Sequence, residues 1–598
     1  MAFNIELGLI LLFSIVGGVL AVRFRQPSVL GLVIIGAIVG PNTLGFIRDT
    51  SLINISIEIG AILLLFTVGI EFSLQRLLNL GLRVVLIAAF KLGFVFLIAY
   101  YSALFLGFSF IAALYIGVIL SITSTIIVVK ILDQKGLSKK EELPLLIAIL
   151  ILEDIFGVFA LTFFSSLNTR LDLSPFSLFT GLIISLTVMI LAYMLLQRLL
   201  KPALNWLVKY STEDTITFTS LGLCGGMSYL ASLFNLSPSV GAFLAGNIVA
   251  SLPNSSMFQR AIHPFILTFT SLFFFSIGTL VNFKTILGSL GIVLLLFIVN
   301  TLSKFFSVGF GSYLFTNFSG KQAVFSGIAM LSVGEFSLLI ARESADVGLG
   351  IDLVSLTSAI IVLSSISMSA LINYSEKIYN LTTRIIPTGV KENTRLASKY
   401  LNSVSWWMLV DKTKTRRIML EWKKIVNNII AAFFILAISF FFWHFFQSYA
   451  QTFLRSNLIV YAITIFVFLA LFFPALNIIR NTSHLIKDIL SFFVRIYPSE
   501  IANEKKIFRN IMFLLFLFVV LVLLPGVFLF FQISLIYHIV VGFLMIIFLI
   551  YAFRASHLIH SVTKRHERTF DKFSKKYKLL IRNRMKLKIN KNGQKRIN

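Results

Sequence analysis

Residues Leu150–Phe159 read LILEDIFGVF, with two adjacent acids, Glu153 and Asp154, set inside an apolar run of helical length. A charge at the centre of a membrane helix costs about 2.5–3.5 kcal/mol on the insertion scale, so a doublet there needs a basic partner or a task. Successive helical residues point about 100° apart, so one acid faces a cation while the other meets a neighbouring helix. Lys304, embedded in FIVNTLSKFFSVGF, is the basic candidate for that second contact.

The membrane setting follows from the chain as a whole. Its 598 residues are 58% hydrophobic and 13% charged, with mean hydropathy +0.93, more apolar surface than a water-soluble core of this size hides. Backbone groups in hydrocarbon must bond within their own segment, so apolar runs of about 17–25 residues read as spanning helices. Thirteen lie near 5–22, 29–46, 53–72, 84–106, 110–132, 143–167, 176–199, 215–234, 238–252, 264–281, 286–314, 323–342 and 353–379. The first has no basic region before it and no small-residue cleavage site after it, and reads as a membrane helix and not a leader.

Loop charges set the orientation. Arg23, Arg25, Arg76, Arg83, Lys135, Lys139, Lys140, Arg198, Lys201, Lys209, Arg260 and Lys321 fall on one side, against Arg48, Arg170, Lys284 and Arg342 on the other. The rich side is cytoplasmic, which puts the N-terminus outside and the chain after the thirteenth helix inside a cell membrane. The expected organisation is a thirteen-helix membrane domain over 1–380, a basic cytoplasmic linker over 384–426 carrying Trp406 and Trp407, and four further spans within 427–553, near 428–448, 457–478, 510–531 and 533–552. A basic cytoplasmic tail follows over 554–598, opposed only by Glu567 and Asp571. The formal charge of +27 is assigned to topology and to anionic lipid at that tail, and no nucleic-acid partner is expected.

The first block repeats. PSVLG at Pro27–Gly31 returns as PSVG at Pro238–Gly241, and LLFTVGIEF at Leu64–Phe72 returns loosely as FFFSIGTLVNF at Phe273–Phe283, both about 210 residues later. Six helices plus one linking helix turn the second copy over relative to the first, an inverted repeat whose substrate site lies near the bilayer midplane. At the same offset SITST, residues 121–125, faces LSVGE, residues 331–335. Hydroxyl and β-branched residues compete for backbone bonds, and paired interruptions of this kind mark crossed, discontinuous helices at an ion site. Thr123, Ser124 and Thr125 then lie beside Asp154, with Glu335 across from them. A carboxylate among hydroxyls in a half-wet cavity holds either a proton or a monovalent cation, and competition for one site gives exchange.

PSVLGLVIIGAIVGPNTLG, LLLFTVGIEF, SITSTIIVVKIL, ILEDIFGVF, LSPSVGAFLAGNIVA and LSVGEFSLLIA, in this order, resemble the monovalent cation:proton antiporters of the Kef type and their bacterial sodium/proton relatives, over residues 1 to about 380. The resemblance implies a dimerisation domain, a mobile core domain that carries the site across the membrane, and a homodimer. It also implies roles by position: Asp154 as the ion- and proton-binding acid, with Ser124 and Thr125 as the unwound segment, Glu335 as the acid of the second broken helix, and Lys304 as the lysine that pairs with the core acids; Glu153 and Lys304 are expected to tune the proton affinity of Asp154. In that family two aspartates here accompany net charge movement, and Asn or Gln before the Asp accompanies electroneutral exchange; Glu153 matches neither pattern. Kef-type relatives also commonly carry a nucleotide-binding domain, and no G-x-G-x-x-G turn occurs in 384–598.

The function expected is secondary active exchange of Na⁺ or K⁺ for H⁺ by alternating access, with no cofactor. The alternatives are a gated K⁺ channel and a membrane sensor or scaffold that keeps the transporter fold. An enzyme is not expected: Cys224 is the single cysteine, His263, His444 and His538 show no ligand spacing, and no nucleophile has a base at usable spacing. Lys91 reads as a residue that snorkels to the interface two turns beyond Arg83; Glu58, Glu71, Arg342 and Glu343 read as interfacial.

Overall fold

The structure is a computed structural model, and it describes residues 2–24, 26–71, 82–168, 197–202, 212–233, 237–252, 255–316, 318–347 and 349–385, with single positions at 204 and 206 and scattered ones between 417 and 550. The described residues are helical with short connections. In order they are α1 (Ala2–Arg23), α2 (Ser28–Val39), α3 (Thr50–Glu71), α4 (Leu82–Phe105), α5 (Phe110–Ser121), α6 (Thr125–Gln134), α7 (Leu143–Asn168) and α8 (Glu213–Leu233). Then follow α9 (Pro238–Ala250), α10 (Ser255–Thr279), α11 (Phe283–Gly288), α12 (Leu290–Phe315), α13 (Gly320–Ala329), α14 (Glu335–Asp346), α15 (Leu353–Leu371), a 3₁₀ turn (Ile372–Tyr374) and α16 (Ser375–Ile385).

Among the described residues nine helical segments are long and apolar enough to cross a membrane, and α2 and α9 are shorter apolar helices. Among the described residues some of the expected spans differ in length or are divided. The second stops at Val39 because Gly40 precedes Pro41, whose ring disfavours helix in the residue before it. The eleventh is split by Ser289 into α11 and α12. The seventh, near 176–199, and the four after residue 427 lie almost wholly outside the described residues.

By compactness the chain divides into Met1–Leu173 with Ser185–Thr383, and Ser174–Ile184 with Arg384–Asn598. In the second unit the described positions are helical; Lys424 pairs with Glu421, and Asn477 donates to Asn428 at 3.4 Å.

The first unit contains two packed bundles. One is built from α1–α3 and α8–α10, the other from α4–α7 and α12–α15. In the first bundle glycine lets backbones meet where any side chain would collide, the usual device for helix packing in lipid. Gly69 of α3 lies on the Phe243 carbonyl of α9, and Gly278 of α10 lies on the Val33 carbonyl of α2. Gly36 and Gly246 make the reciprocal contacts, on the carbonyls of Phe275 and Phe66. Each pair is the other shifted by about 210 residues, so the sequence repeat is also a repeat of contacts.

In the second bundle α5 ends at Ser121 and α6 begins at Thr125, while α13 ends at Ala329 and α14 begins at Glu335. Ser124 caps α6 by accepting from Ile127 N at 3.1 Å. The two interruptions touch: a Cβ at Gly334 would meet the Thr123 carbonyl carbon at 3.0 Å.

Candidate ion site at two helix interruptions

A helix broken inside hydrocarbon exposes carbonyls at one end and N–H groups at the other, and no bulk water is there to bond them. Side chains from the neighbouring helices take that role. On the carbonyl side, Lys91 of α4 donates to Ser121 O, Lys304 of α12 donates to Ile122 O at 2.9 Å and Ser332 O at 2.8 Å, and Asn300 Nδ2 donates to Leu331 O at 2.9 Å. Ser337 Oγ reaches Ile119 O at 2.7 Å, tying α14 to α5. Cations at these ends also oppose the partial negative charge of a helix C-terminus.

On the other side stand the acids. Glu153 Oε2 accepts from Thr123 N at 2.9 Å, and Val333 N, at the equivalent place in the second interruption, donates to Ser364 Oγ at 3.1 Å. Ser124 Oγ, at the start of α6, donates to Glu335 Oε2 at 2.5 Å, and Glu335 opens α14. Thr125 Oγ1 donates to Asp154 Oδ2 at 3.0 Å. The positive ends of both half-helices thus meet carboxylates.

The sequence-expected residues come together here: Thr123, Ser124, Thr125, Glu153, Asp154, Lys304 and Glu335 all line or touch the interruptions. Two expectations are corrected. Lys304 does not provide the ion pair of the doublet; among the described residues it donates to two carbonyls and has no carboxylate within ion-pair distance. Lys91 does not snorkel. It is 0% exposed and pairs with Glu153 Oε2 at 2.6 Å, while also donating to Thr123 Oγ1 at 2.8 Å and to Ser121 O. Its depth explains why: eight residues separate it from Arg83, about 12 Å along a helix, too far for its side chain to return to the interface. Asn300, Ser337 and Ser364 were also missed, since nothing local distinguishes them from the many hydroxyls and amides of a packed membrane helix.

The two acids differ in access. Glu153 is fully buried, whereas Asp154 and Thr125 are partly exposed. Among the described residues no three His, Cys, Asp or Glu side chains gather as they would around a tightly held metal.

Among the described residues the chain is an all-helical, multi-pass membrane fold with two helix interruptions joined by buried charges, and the family it matches is one of transporters and not of enzymes. The chain belongs to the sodium/hydrogen exchanger transmembrane family, whose model matches residues 8–373. It is 29% identical over 349 residues to the Na(+)/H(+)-K(+) antiporter GerN of Bacillus cereus, covering 58% of this chain and 89% of that one. It is 28% identical to a Na(+)/H(+) antiporter of Enterococcus hirae, over 56% of this chain and 87% of that one, and 25% identical to the K(+)/H(+) antiporter subunit KhtU of Bacillus subtilis, over 64% and 95%. In fold it resembles the solved sodium proton antiporter MjNhaP1 of Methanocaldococcus jannaschii, with a TM-score of 0.50 at 15% identity, over 63% of this chain and 100% of that one.

Proposed function

We propose that this protein is a secondary active antiporter that exchanges a monovalent cation, Na⁺ or K⁺, for H⁺, with Asp154 binding the two in competition. The observation that carries this reading is the contrast within the doublet: Asp154 is the acid with partial access, next to the Thr125 hydroxyl, while Glu153 is sealed. One carboxylate with hydroxyl oxygens is a donor set for a weakly held, readily dehydrated alkali ion, and the same oxygen takes a proton. The named activities of GerN, the Enterococcus antiporter and KhtU support the same exchange.

Turnover on this reading follows from charge. An empty, ionised Asp154 is costly to move through lipid, whereas a carboxylate holding either H⁺ or an alkali ion is close to neutral, so the site crosses only when occupied. Occupancy by one species on each stroke gives antiport. The moving part is the bundle of α4–α7 and α12–α15, which slides against the bundle of α1–α3 and α8–α10 and exposes the site to one side at a time. The protein works as a homodimer in the cell membrane, N-terminus outside, with anionic lipid held by the basic tail over 554–598.

The test is reconstitution in vesicles holding an internal pH dye, with Na⁺, K⁺ or Li⁺ added in turn. Antiport moves protons against the added cation. Cation flux with no proton movement identifies a gated channel instead, and neither flux leaves a sensor or scaffold.

A further inference from the structure

Glu153 has no evident place in a site that turns over at Asp154, yet it is the more deeply buried of the two acids. Its surroundings bind it through one oxygen. Lys91 carries three ammonium donors, and the structure supplies three acceptors for them: Ser121 O, Thr123 Oγ1 and Glu153 Oε2. A neutral amine has only two N–H groups and would turn a lone pair toward one of those oxygens. Glu153 Oε2 in turn accepts from the Lys91 ammonium at 2.6 Å and from the Thr123 amide at 2.9 Å, so both donors converge on one oxygen. The pair also holds shape: Ser121 ends α5 and Thr123 lies in the extended link, so Lys91 and Glu153 together clamp the turn that delivers Ser124 and Thr125 to the acids.

We infer that Lys91 and Glu153 form a permanent ion pair that positions the α5–α6 interruption and exchanges neither proton nor cation, so that one proton moves for each alkali ion. The inference rests on the antiport reading above and adds its stoichiometry. The charge count follows from the geometry: Lys91 and Glu153 cancel, Lys304 keeps its donors on Ile122 O and Ser332 O, buried Glu335 stays on the Ser124 hydroxyl, and Asp154 is neutralised once by a cation and once by a proton in each cycle. One positive charge travels each way and no net charge is transferred. An acid beside the binding carboxylate is thereby made electrically equivalent to a neutral residue, by a lysine from a different helix, α4.

The measurement is the pH gradient that nulls a fixed cation gradient across vesicles containing the full-length protein. At one-to-one exchange, about a tenfold cation gradient is balanced by about one pH unit whatever the membrane potential; two protons per cation at zero potential balance at about half a unit. A null near one unit is expected, and a null near half a unit overturns the inference while leaving antiport intact. Failure of any cation to change internal pH overturns the antiport reading itself. In Lys91→Gln, Glu153 loses its counter-charge, takes part in proton traffic, and the null moves toward half a unit; the double variant Lys91→Gln/Glu153→Gln returns it to one unit. A null in Lys91→Gln identical to that of the unaltered protein overturns the role given to Lys91. A purely structural loss lowers the rate and leaves the null in place, because the null is an equilibrium quantity. Should Lys91→Gln fail to fold, the unaltered protein and the double variant still decide the stoichiometry.

Discussion

Glu153 and Asp154 are neighbours in the chain and opposites in environment: the first is sealed against Lys91 at 2.6 Å, the second is partly open beside the Thr125 hydroxyl at 3.0 Å. One helical residue of rotation separates a carboxylate held by an ammonium from one that accepts from a hydroxyl. The difference assigns the two acids separate tasks and sets the behaviour expected of their variants.

Asp154→Asn keeps size and most of the hydrogen bonding but cannot carry a proton. Cation-driven pH change in vesicles is expected to fall to the level of protein-free vesicles, with an unaltered elution profile in detergent. Exchange at an undiminished rate in this variant would remove Asp154 from the mechanism.

Competition for one oxygen site fixes the sign of the pH dependence. Acidification raises the proton occupancy of Asp154 and weakens apparent cation binding, so the half-saturating cation concentration rises as pH falls, by up to about tenfold per unit once the acid is mostly protonated. The maximal rate at saturating cation changes much less. Initial rates across a pH series check this, and a half-saturation that stays flat counts against a shared site.

Lys304→Gln strips the donor from Ile122 O and Ser332 O, carbonyls that lie within the two interruptions. A buried acceptor left unsatisfied costs about 1–3 kcal/mol, so two of them are expected to lower the unfolding midpoint in detergent by several degrees. An unchanged midpoint would show that the glutamine, or water, replaces the ammonium without loss.

Ser124→Ala removes both the cap of α6 and the donor to Glu335. Loss of an N-cap costs about 0.5–2 kcal/mol, and exchange is expected to slow while Ser124→Thr, which keeps the hydroxyl, retains most of the rate. Equal rates for the alanine and threonine variants would show that the hydroxyl has no part in placing the α6 terminus.

Gly69→Leu and Gly278→Leu push a side chain into the carbonyls of Phe243 and Val33 and are expected to abolish the monodisperse peak in size-exclusion chromatography. Gly93→Ala, on α4 with open space around it, is the matched control and is expected to be tolerated. Normal assembly of either leucine variant would mean that the backbones do not pack this closely.

Much of this site is readable from the chain alone, for physical reasons. SITST and LSVGE combine hydroxyl, β-branched and glycine residues that weaken a helix, inside runs otherwise too apolar to be loops, and the helices stop there. The doublet stands out because ionised groups are rare and costly in hydrocarbon. Lys91 was misread because a one-dimensional pattern does not say which neighbour a helix face meets: the same lysine beside Arg83 is compatible with an interface or a core. Its depth was the available signal. The sequence points to Lys304 as the partner of the doublet, and replacing it by Lys91 requires knowing that α4 packs on both α5 and α7. Lengths erred where glycine, proline or serine cut an apolar run short, as at Gly40 and Ser289.

The glycine contacts of the first bundle carry a consequence for biosynthesis. Gly36 of α2 closes on α10 and Gly69 of α3 closes on α9, so both early helices find their seats only on segments made some 200 residues later. While the ribosome is still translating α4–α7, the notched faces of α2 and α3 have only lipid against them. Assembly of this half of the molecule must therefore trail insertion, and truncating the chain before Pro238 strands the amino-terminal helices as an unmatched surface, open to the insertase, to quality-control proteases or to a second nascent chain.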